Sequence, residues 1–574
     1  MPNIQETLHI KFADALQKAY PNAPKEFIEI AQSKDKTFGH YQFNSAMKLA
    51  KPLGKNPKEI AAAIVSALDK EPEIATTEIA GPGFVNITLS ANYLNTCVNR
   101  LAKSERLGVE LPQERQKVIV EFSSPNIAKE LHVGHLRSTI IGDCLARLLE
   151  FLGHDVLRIN HIGDWGTQFG MLIAYMREHH PKALDGQEPT TLANLADWYK
   201  KSKELFDRDS AFKKQAQLEV VALQSGQSDS LKIWNLLCRI SRKSFEEIYT
   251  LLDIQIIERG ESFYNPMLPE IVEELNQKGL VTESDGAKCL FPPGFVNRDG
   301  EPLPLMLQKS DGGYGYDTTD MAAVKQRVFA EKADRVIYVT DSGQSTHFQM
   351  IFKAAEMAGW LKNGCRLEHV PFGLVLGTDG KKFKTRSGTT EKLIDLLYEA
   401  VRKSQEILLE KNPGLEESER NALAHALGIA AVKYADLSGN RVGDYTFSYE
   451  RMLRFEGNTA AYLMYVYVRI ASIRRKGGKE APVGEILLVH PSEQALGLHL
   501  IQFSEALKQV EKELLPNRLT DYLYGLAEAF NAFYRDCQVE GSNERDSRMQ
   551  LAEATARVMR KGLHLLGVEV VERM

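Results

Sequence analysis

Two histidines separated by Val133 and Gly134 offer the most definite chemistry in the chain. His132-Val133-Gly134-His135 follows a short apolar run and opens a long helical pattern. A helix start presents unpaired N–H groups and the positive end of the backbone dipole, both of which favour phosphate. Gly134 leaves room for a flat base to approach the backbone. The imidazoles can donate hydrogen bonds to phosphate oxygens whose charge grows in a transition state. This combination suits nucleotidyl transfer at an α-phosphate, where positioning and electrostatics carry the rate. Four residues alone are a weak signal, because two ordinary helix-start histidines would read the same way. The setting gives them weight.

That setting is a strand, a loop and a helix. Val118-Ile119-Val120-Glu121-Phe122 has the β-branched texture of a buried parallel strand. A Ser-Ser-Pro-Asn break follows, then Leu136, Ile140, Ile141, Leu145, Leu148 and Leu149 on one helical face, closed by Gly153. Val156–Ile159 is the next strand, so the spacing predicts a βαβ unit of a doubly wound sheet. Pro304–Gln308, Arg335–Val339 and Val370–Leu376 read as further strands, with a helix over His347–Ala358. A charged helical stretch from about 190 to 255 connects the two halves, with no obvious extra β-domain. Before this region, Leu8, Phe12, Ala15 and Leu16, then Ile60, Ala63, Ile64 and Leu68, recur at helical spacing, and Gly81-Pro82-Gly83 turns into a strand at Phe84–Leu89. Beyond about 420 the chain reads as almost wholly helical.

The chain has 574 residues, enough for about three or four domains. Hydrophobic residues make up 43% and charged residues 26%, and the net charge is -5, so an RNA surface has to be a local basic patch. Cys97, Cys144, Cys238, Cys289, Cys365 and Cys537 are too scattered for a zinc knuckle, so no metal site is expected. They suit a reducing compartment. The N-terminus lacks a signal-peptide pattern, and no apolar run approaches the ~18–20 residues of a membrane span. A soluble, cytoplasmic protein is expected.

The flanks of the histidine element carry a resemblance. Residues 121–137, Glu-Phe-Ser-Ser-Pro-Asn-Ile-Ala-Lys-Glu-Leu-His-Val-Gly-His-Leu-Arg, closely resemble the signature of arginyl-tRNA synthetases. So do Asn160–Gly170, Ser310-Asp311-Gly312, Tyr316–Asp320, Lys433–Ser438, Phe455–Thr459 and the closing Glu572-Arg573-Met574. The likeness runs in order along essentially the whole chain. It implies an α/β protein: a Rossmann-like, doubly wound parallel-sheet catalytic domain, an N-terminal α+β tRNA-binding domain and a C-terminal all-α anticodon-binding domain. The expected boundaries are 1–112 for the N-terminal elbow-binding domain and 113–400 for the catalytic domain, with a helical insertion at about 180–300. A linking stem follows at 401–450 and the anticodon domain at 451–574.

The resemblance implies an arginine–tRNA ligase working through an arginyl-adenylate, whose formation requires bound tRNA. ATP, with Mg²⁺, L-arginine and tRNA(Arg) are the implied partners, and the family is usually monomeric. ATP would meet Asn126, His132, Gly134, His135, Gly373 and Lys384. The family's mobile Lys-Met-Ser-Lys-Ser loop matches Lys382-Phe383-Lys384-Thr385-Arg386-Ser387, but Thr385 stands where the second lysine would be. A cation is still needed near the leaving pyrophosphate, and Lys129, Lys382, Lys384 and Arg386 are the candidates.

Glu121, Asn126, Tyr316, Asp320 and Gln344 are implied to hold the arginine, with Asp320 facing its guanidinium. Taken without the resemblance, Asp320 would read as a helix-start carboxylate and Glu121 as a solvent-facing strand residue. A carboxylate slot rejects substrates lacking the guanidinium strongly, so no editing activity is expected. For tRNA, Phe84 and Asn86 are implied at the elbow and Tyr465 and Arg469 at the anticodon, while Phe38 and Phe43 read as core. Tyr462, Tyr467, Arg548, Arg557, Arg560 and Lys561 are further C-terminal possibilities. Three other readings fit less well: a small nucleotidyltransferase would lack the C-terminal helices, a non-catalytic RNA-binding paralogue would have lost His132, His135 or Asp320, and another class I synthetase, the closest rival, is opposed by Tyr316, Asp320 and the Asn160–Gly170 block.

Overall fold

The computed structural model describes residues 3–361, 364–381, 383, 392–476 and 484–574. The chain divides into two compact units: Met1–Pro112 with Phe455–His564 and Glu569–Met574, and Gln113–Arg454 with Leu565–Val568.

The first unit holds a four-stranded antiparallel sheet of β1 (Ile30–Gln32), β2 (Tyr41–Phe43), β3 (Ile74–Ala80) and β4 (Phe84–Leu89), in the order β1-β2-β4-β3. The helix Ile4–Ala19 buries Leu8, Phe12, Ala15 and Leu16 as spaced, the helix Pro57–Ala67 buries Ile60 and Ile64 but leaves Ala63 and the capping Leu68 partly exposed, and the Phe12 ring stacks on Phe43 at 5.2 Å. Its C-terminal part is helical: Ala460–Lys476, Pro491–Ile501, Phe503–Glu513, Asn517–Asp536 and Arg545–Leu565. Buried hydrogen bonds join the two parts. The Tyr41 hydroxyl lies 2.9 Å from Glu505 Oε1, and the Asn99 side chain pairs with the Ile486 backbone through two bonds of 2.8 Å. Arg557 donates to the carbonyls of Ala102 and Ser104, closing the end of the helix Ala91–Lys103.

The second unit is built on five strands: β5 (Lys117–Glu121), β6 (Asp155–Asn160), β7 (Ile257–Glu258), β11 (Arg335–Asp341) and β12 (Arg366–Phe372). Every pairing is parallel, in the order β12-β11-β5-β6-β7. Val118, Ile119 and Val120 are all fully buried, because helices cover both faces. From β5 the chain enters the helix Val133–Leu152, ends it at left-handed Gly153 and returns as β6. A side chain at Gly142 would enter the Phe122 ring, so this glycine sets the close helix–sheet approach. Because β6 and β7 lie on one side of β5 and β11 and β12 on the other, the winding reverses at β5. A doubly wound sheet opens a crevice there, at the carboxyl ends of β5 and β11.

The insertion after β6 includes the expected charged helices Leu192–Arg208, Ser210–Gln224 and Ser228–Leu251, preceded by Thr167–His179 and Pro181–Leu184. The region between the halves is not wholly helical, against the expectation from its charged pattern. Leu305–Gln308 (β10) is not a strand of the parallel sheet. It pairs antiparallel with β9 (Ala287–Leu290), which pairs with β8 (Thr282–Ser284), so the region between the halves does carry a small sheet. Two short strands, β13 (Val375–Leu376) and β14 (Tyr445–Thr446), form a parallel pair, and the helices Leu393–Lys411 and Glu417–Leu437 pack on each other.

Arg137, fully buried on the helix Val133–Leu152, ties these pieces together. It pairs with Asp436 at 3.2 Å and donates to the carbonyls of Gly373 (2.7 Å), Gly443 (3.2 Å) and Arg441 (3.3 Å). The six cysteines are all free and buried. Among the described residues, no helix is long and apolar enough to cross a membrane.

Candidate active site

The two sequence blocks that flank the crevice are zipped together. Ile127 N–H donates to Gly163 O at 3.1 Å and Gly163 N–H to Pro125 O at 3.0 Å. The Asn126 carboxamide lies over Gly163 where a side chain would otherwise stand, so that glycine is required for the contact.

At the start of the helix Val133–Leu152 the two histidines form a capping box with each other. Gly134 N–H donates to His132 Nδ1 at 3.0 Å, and His132 N–H donates to His135 Nδ1 at 3.1 Å. The ring centroids are 4.1 Å apart. A Cβ on residue 134 would sit 2.9 Å from the His132 ring, so glycine is needed to let the ring fold back. Since each Nδ1 accepts, a neutral ring carries its proton on Nε2 and offers it as a donor. Burial, with the neighbouring His132 and Lys129, lowers the His135 pKa to about 3, so His135 is neutral at physiological pH.

An acidic slot lies between His161, just past the end of β6, and His347, on the helix that follows β11. The helix Tyr316–Phe329 presents Asp320, whose Oδ2 is 2.6 Å from His347 Nε2 and whose Oδ1 is 3.8 Å from His161 Nε2. Asp317 accepts from Met306 N–H at 2.7 Å and lies 3.4 Å from His347 Nδ1. Burial would lower the His347 pKa, but the hydrogen bond and charge of Asp320 and the charge of Asp317 raise it overall. Tyr316, 65% exposed, meets the His347 ring edge-on at 5.2 Å. Glu261 lies near enough to feel Asp320: burial and the charges of Asp320 and Asp164 push its pKa up to about 8, against a hydrogen bond from the Trp165 backbone. Asp320 therefore interacts with side chains across the slot rather than with its own helix start.

Other expected residues are differently placed. Glu121 is neither solvent-facing nor free: it is buried and ion-paired with fully buried Arg327, because burying a lone carboxylate or guanidinium would be costly. Gln344 is exposed at the end of β11 and donates to Asp341 at 3.3 Å. Gly373 packs against Gly443; its N–H donates to Arg441 O at 2.9 Å and its carbonyl accepts from Arg137, so it is a close-packing glycine. Lys129 is exposed, its ammonium 5.6 Å from the Tyr199 ring centroid. Lys382, Lys384 and Arg386 lie outside the described residues. Lys392 bridges to His132, and Leu393 N–H donates to Leu131 O at 2.9 Å.

In the first unit, Asn86 is only 5% exposed and accepts from Gln42 Nε2 at 2.8 Å, so it is packed within the sheet. Phe84 is half-buried next to it on β4. Phe43 is core as expected, whereas Phe38 is 48% exposed. The Arg469 guanidinium lies between two exposed rings, 5.0 Å from Tyr465 and 5.6 Å from Tyr534. Tyr467 is buried and bonded to Glu572, while Arg548 is paired with Glu493 at 2.6 Å, so both are structural.

His347, His161, Glu261 and Tyr534 were not singled out from the sequence. A histidine two residues after Ser345 at the start of a helix behind a buried strand was the one legible hint; Glu261 looked like any helix-start glutamate.

A parallel sheet with a histidine-capped helix at its point of reversal, an acidic slot beside it and helical units elsewhere defines a class I aminoacyl-tRNA synthetase type of protein. Residues 96–449 match the family described as tRNA synthetases class I (R), catalytic domain; residues 463–574 match the DALR anticodon binding domain; and residues 6–89 match the arginyl tRNA synthetase N terminal domain. The chain is similar to the arginine–tRNA ligase of Protochlamydia amoebophila, with 59% identity over 98% of each chain. It is also similar to that of Crocosphaera subtropica, with 51% identity over 100% of each. Among solved structures it resembles the Plasmodium falciparum arginyl-tRNA synthetase, with a TM-score of 0.88, 35% identity and 100% of both chains covered. The chain belongs to the arginyl-tRNA synthetase family.

Proposed function

We propose that this chain joins L-arginine to tRNA(Arg) using ATP, through an arginyl-adenylate, releasing AMP and diphosphate. The observation that carries this reading is that a histidine-capped helix and a carboxylate slot both stand at the carboxyl ends of one parallel sheet. The planar guanidinium, with five donors, suits Asp320 and Glu261, with the Tyr316 ring beside it. The arginine carboxylate attacks the α-phosphate in line. His132 and His135 donate from Nε2 to the phosphate oxygens as their charge grows, and Asn126 holds the near side of the loop. Lys129 supplies positive charge towards the leaving pyrophosphate, with Lys382, Lys384 and Arg386 as further sources. Glu121, held by Arg327, and Gln344 line the floor and rim. A ribose 2′-hydroxyl of the tRNA's terminal adenosine then attacks the activated carbonyl.

Mg²⁺ belongs to ATP in this reading. Among the described residues no group of three side chains is arranged to cage a metal, and a cation carried by the phosphates needs none. Tyr465, Arg469 and Tyr534 offer a stacking surface for unpaired anticodon bases, and Phe84 faces the tRNA elbow, with Asn86 packed behind it against Gln42. A monomeric, cytoplasmic enzyme without editing completes the reading. Pyrophosphate exchange across all the amino acids, with and without total tRNA, tests it. Exchange specific to arginine and dependent on tRNA is expected; exchange with another amino acid, or none with arginine and tRNA present, would overturn it.

A further inference from the structure

The loop between β5 and the histidine element has a strained backbone. Ser123 (φ 70), Ser124 (φ 47) and Ala128 (φ 61) all lie in the left-handed region, which a Cβ disfavours. Such a loop keeps its shape only if its surroundings over-determine it. Much of what holds it comes from one helix of the insertion, Ser228–Leu251.

The Tyr249 hydroxyl, buried at the end of that helix, lies 2.7 Å from Ser123 Oγ and accepts from Asn160 Nδ2 at 3.0 Å. Asn160 Oδ1 in turn accepts from Ser124 N–H at 2.9 Å. The phenol thus joins Ser123 and Asn160 in one buried hydrogen-bonded chain. Two turns earlier, Ser241 Oγ accepts from Ala128 N–H at 3.0 Å and donates to Leu237 O at 2.9 Å. The same helix therefore fixes both left-handed ends of the loop, with Asn126 between them.

We propose that Tyr249 and Ser241 are positioning residues that hold residues 123–128 in the shape that receives ATP. The proposal deepens the functional reading above and rests on it. Neither side chain touches substrate; each acts through the loop.

The test uses full-length Tyr249→Phe and Ser241→Ala, each compared with wild type by aminoacylation kinetics and thermal melting. The KM for ATP should rise about five- to tenfold, as expected for a lost hydrogen bond at a strained loop, with a smaller rise in the KM for arginine, which Asn126 alone of this loop would serve. Adding Ser123→Gly to Tyr249→Phe should recover most of the ATP affinity, because glycine adopts the left-handed conformation freely and brings no orphaned hydroxyl. Three results would overturn the proposal: an ATP KM within twofold of wild type in both variants, equal rises in the KM for ATP and arginine with a lower Tm, or no recovery with glycine. If Tyr249→Phe does not fold, the Ser241→Ala result decides alone. Failure of the wild-type chain to charge tRNA with arginine would instead refute the functional reading itself.

Discussion

Replacing Asp320 by Asn removes one negative charge from the slot and little else. Asparagine keeps an oxygen to accept from His347 and has nearly the same volume. The Asp320 side chain is 18% exposed, so it lies between a surface group and a fully desolvated one. A charge-assisted hydrogen bond in such a setting contributes about 1.5–3 kcal/mol, and each 1.4 kcal/mol is tenfold in affinity. The KM for arginine should therefore rise roughly 10- to 150-fold. The fold should not suffer, because Asp320 also crowds Glu261 and Asp317, whose pKa values it raises. Arginine titrations at saturating ATP and tRNA, alongside a thermal melt, measure both effects. A rise below threefold, or an equal rise in the KM for ATP, would refute the assignment of Asp320 to the guanidinium.

His132→Ala removes a donor aimed at the reacting phosphate and should lower kcat by about 10²–10³ with a small change in the KM for ATP, read from single-turnover charging. Glu121→Gln leaves Arg327 buried without its counter-charge and should destabilise the chain by about 3–5 kcal/mol in denaturant unfolding; a loss below 1 kcal/mol would contradict that pairing. Arginine should bind more tightly as pH rises from 6 to about 8.5. The guanidinium prefers neutral His347, whose pKa is raised above 6.5, and ionised Glu261, whose pKa is about 8. His347 faces Asp320 and Asp317, with His161, His369 and Glu261 nearby. Both groups have raised folded pKa values: His347 contributes stability below pH 6.5 and Glu261 below 4.5, each lost as pH climbs through the folded value. The ligand-free chain should thus melt lower at pH 8.5 than at pH 6, with arginine offsetting the loss; a flat or opposite KM profile would count against the slot.

The local unit was readable because its cues are local. Val118–Val120 are β-branched throughout, as a strand covered on both faces requires, and Gly153 stops the helix that the apolar positions begin. The histidine pair was visible for the same reason. The alternation Leu305, Met306, Leu307, Gln308 carried the opposite message, a strand with one wet face, and it pairs antiparallel. The site's remaining members come from distant segments. His347 and Glu261 act on Asp320 only because two helices bring them there, and Tyr249 reaches Ser123 across 126 positions of sequence. Asn86 and Tyr467 had plausible residue types for RNA contact, but burial, which sequence spacing did not report, assigns them to packing.

The first unit has a consequence for how the chain is made. Tyr41 and the Glu505 carboxylate that it bonds are 464 positions apart. At about 5–20 residues per second of synthesis, the N-terminal segment waits roughly half a minute to a minute and a half at the ribosome for its partner. During that time, the surface destined for the C-terminal helices is open to solvent and to other nascent chains. Newly made protein should therefore depend on chaperones most during this interval, and an N-terminal fragment ending near Pro112 should be far less soluble than the whole chain.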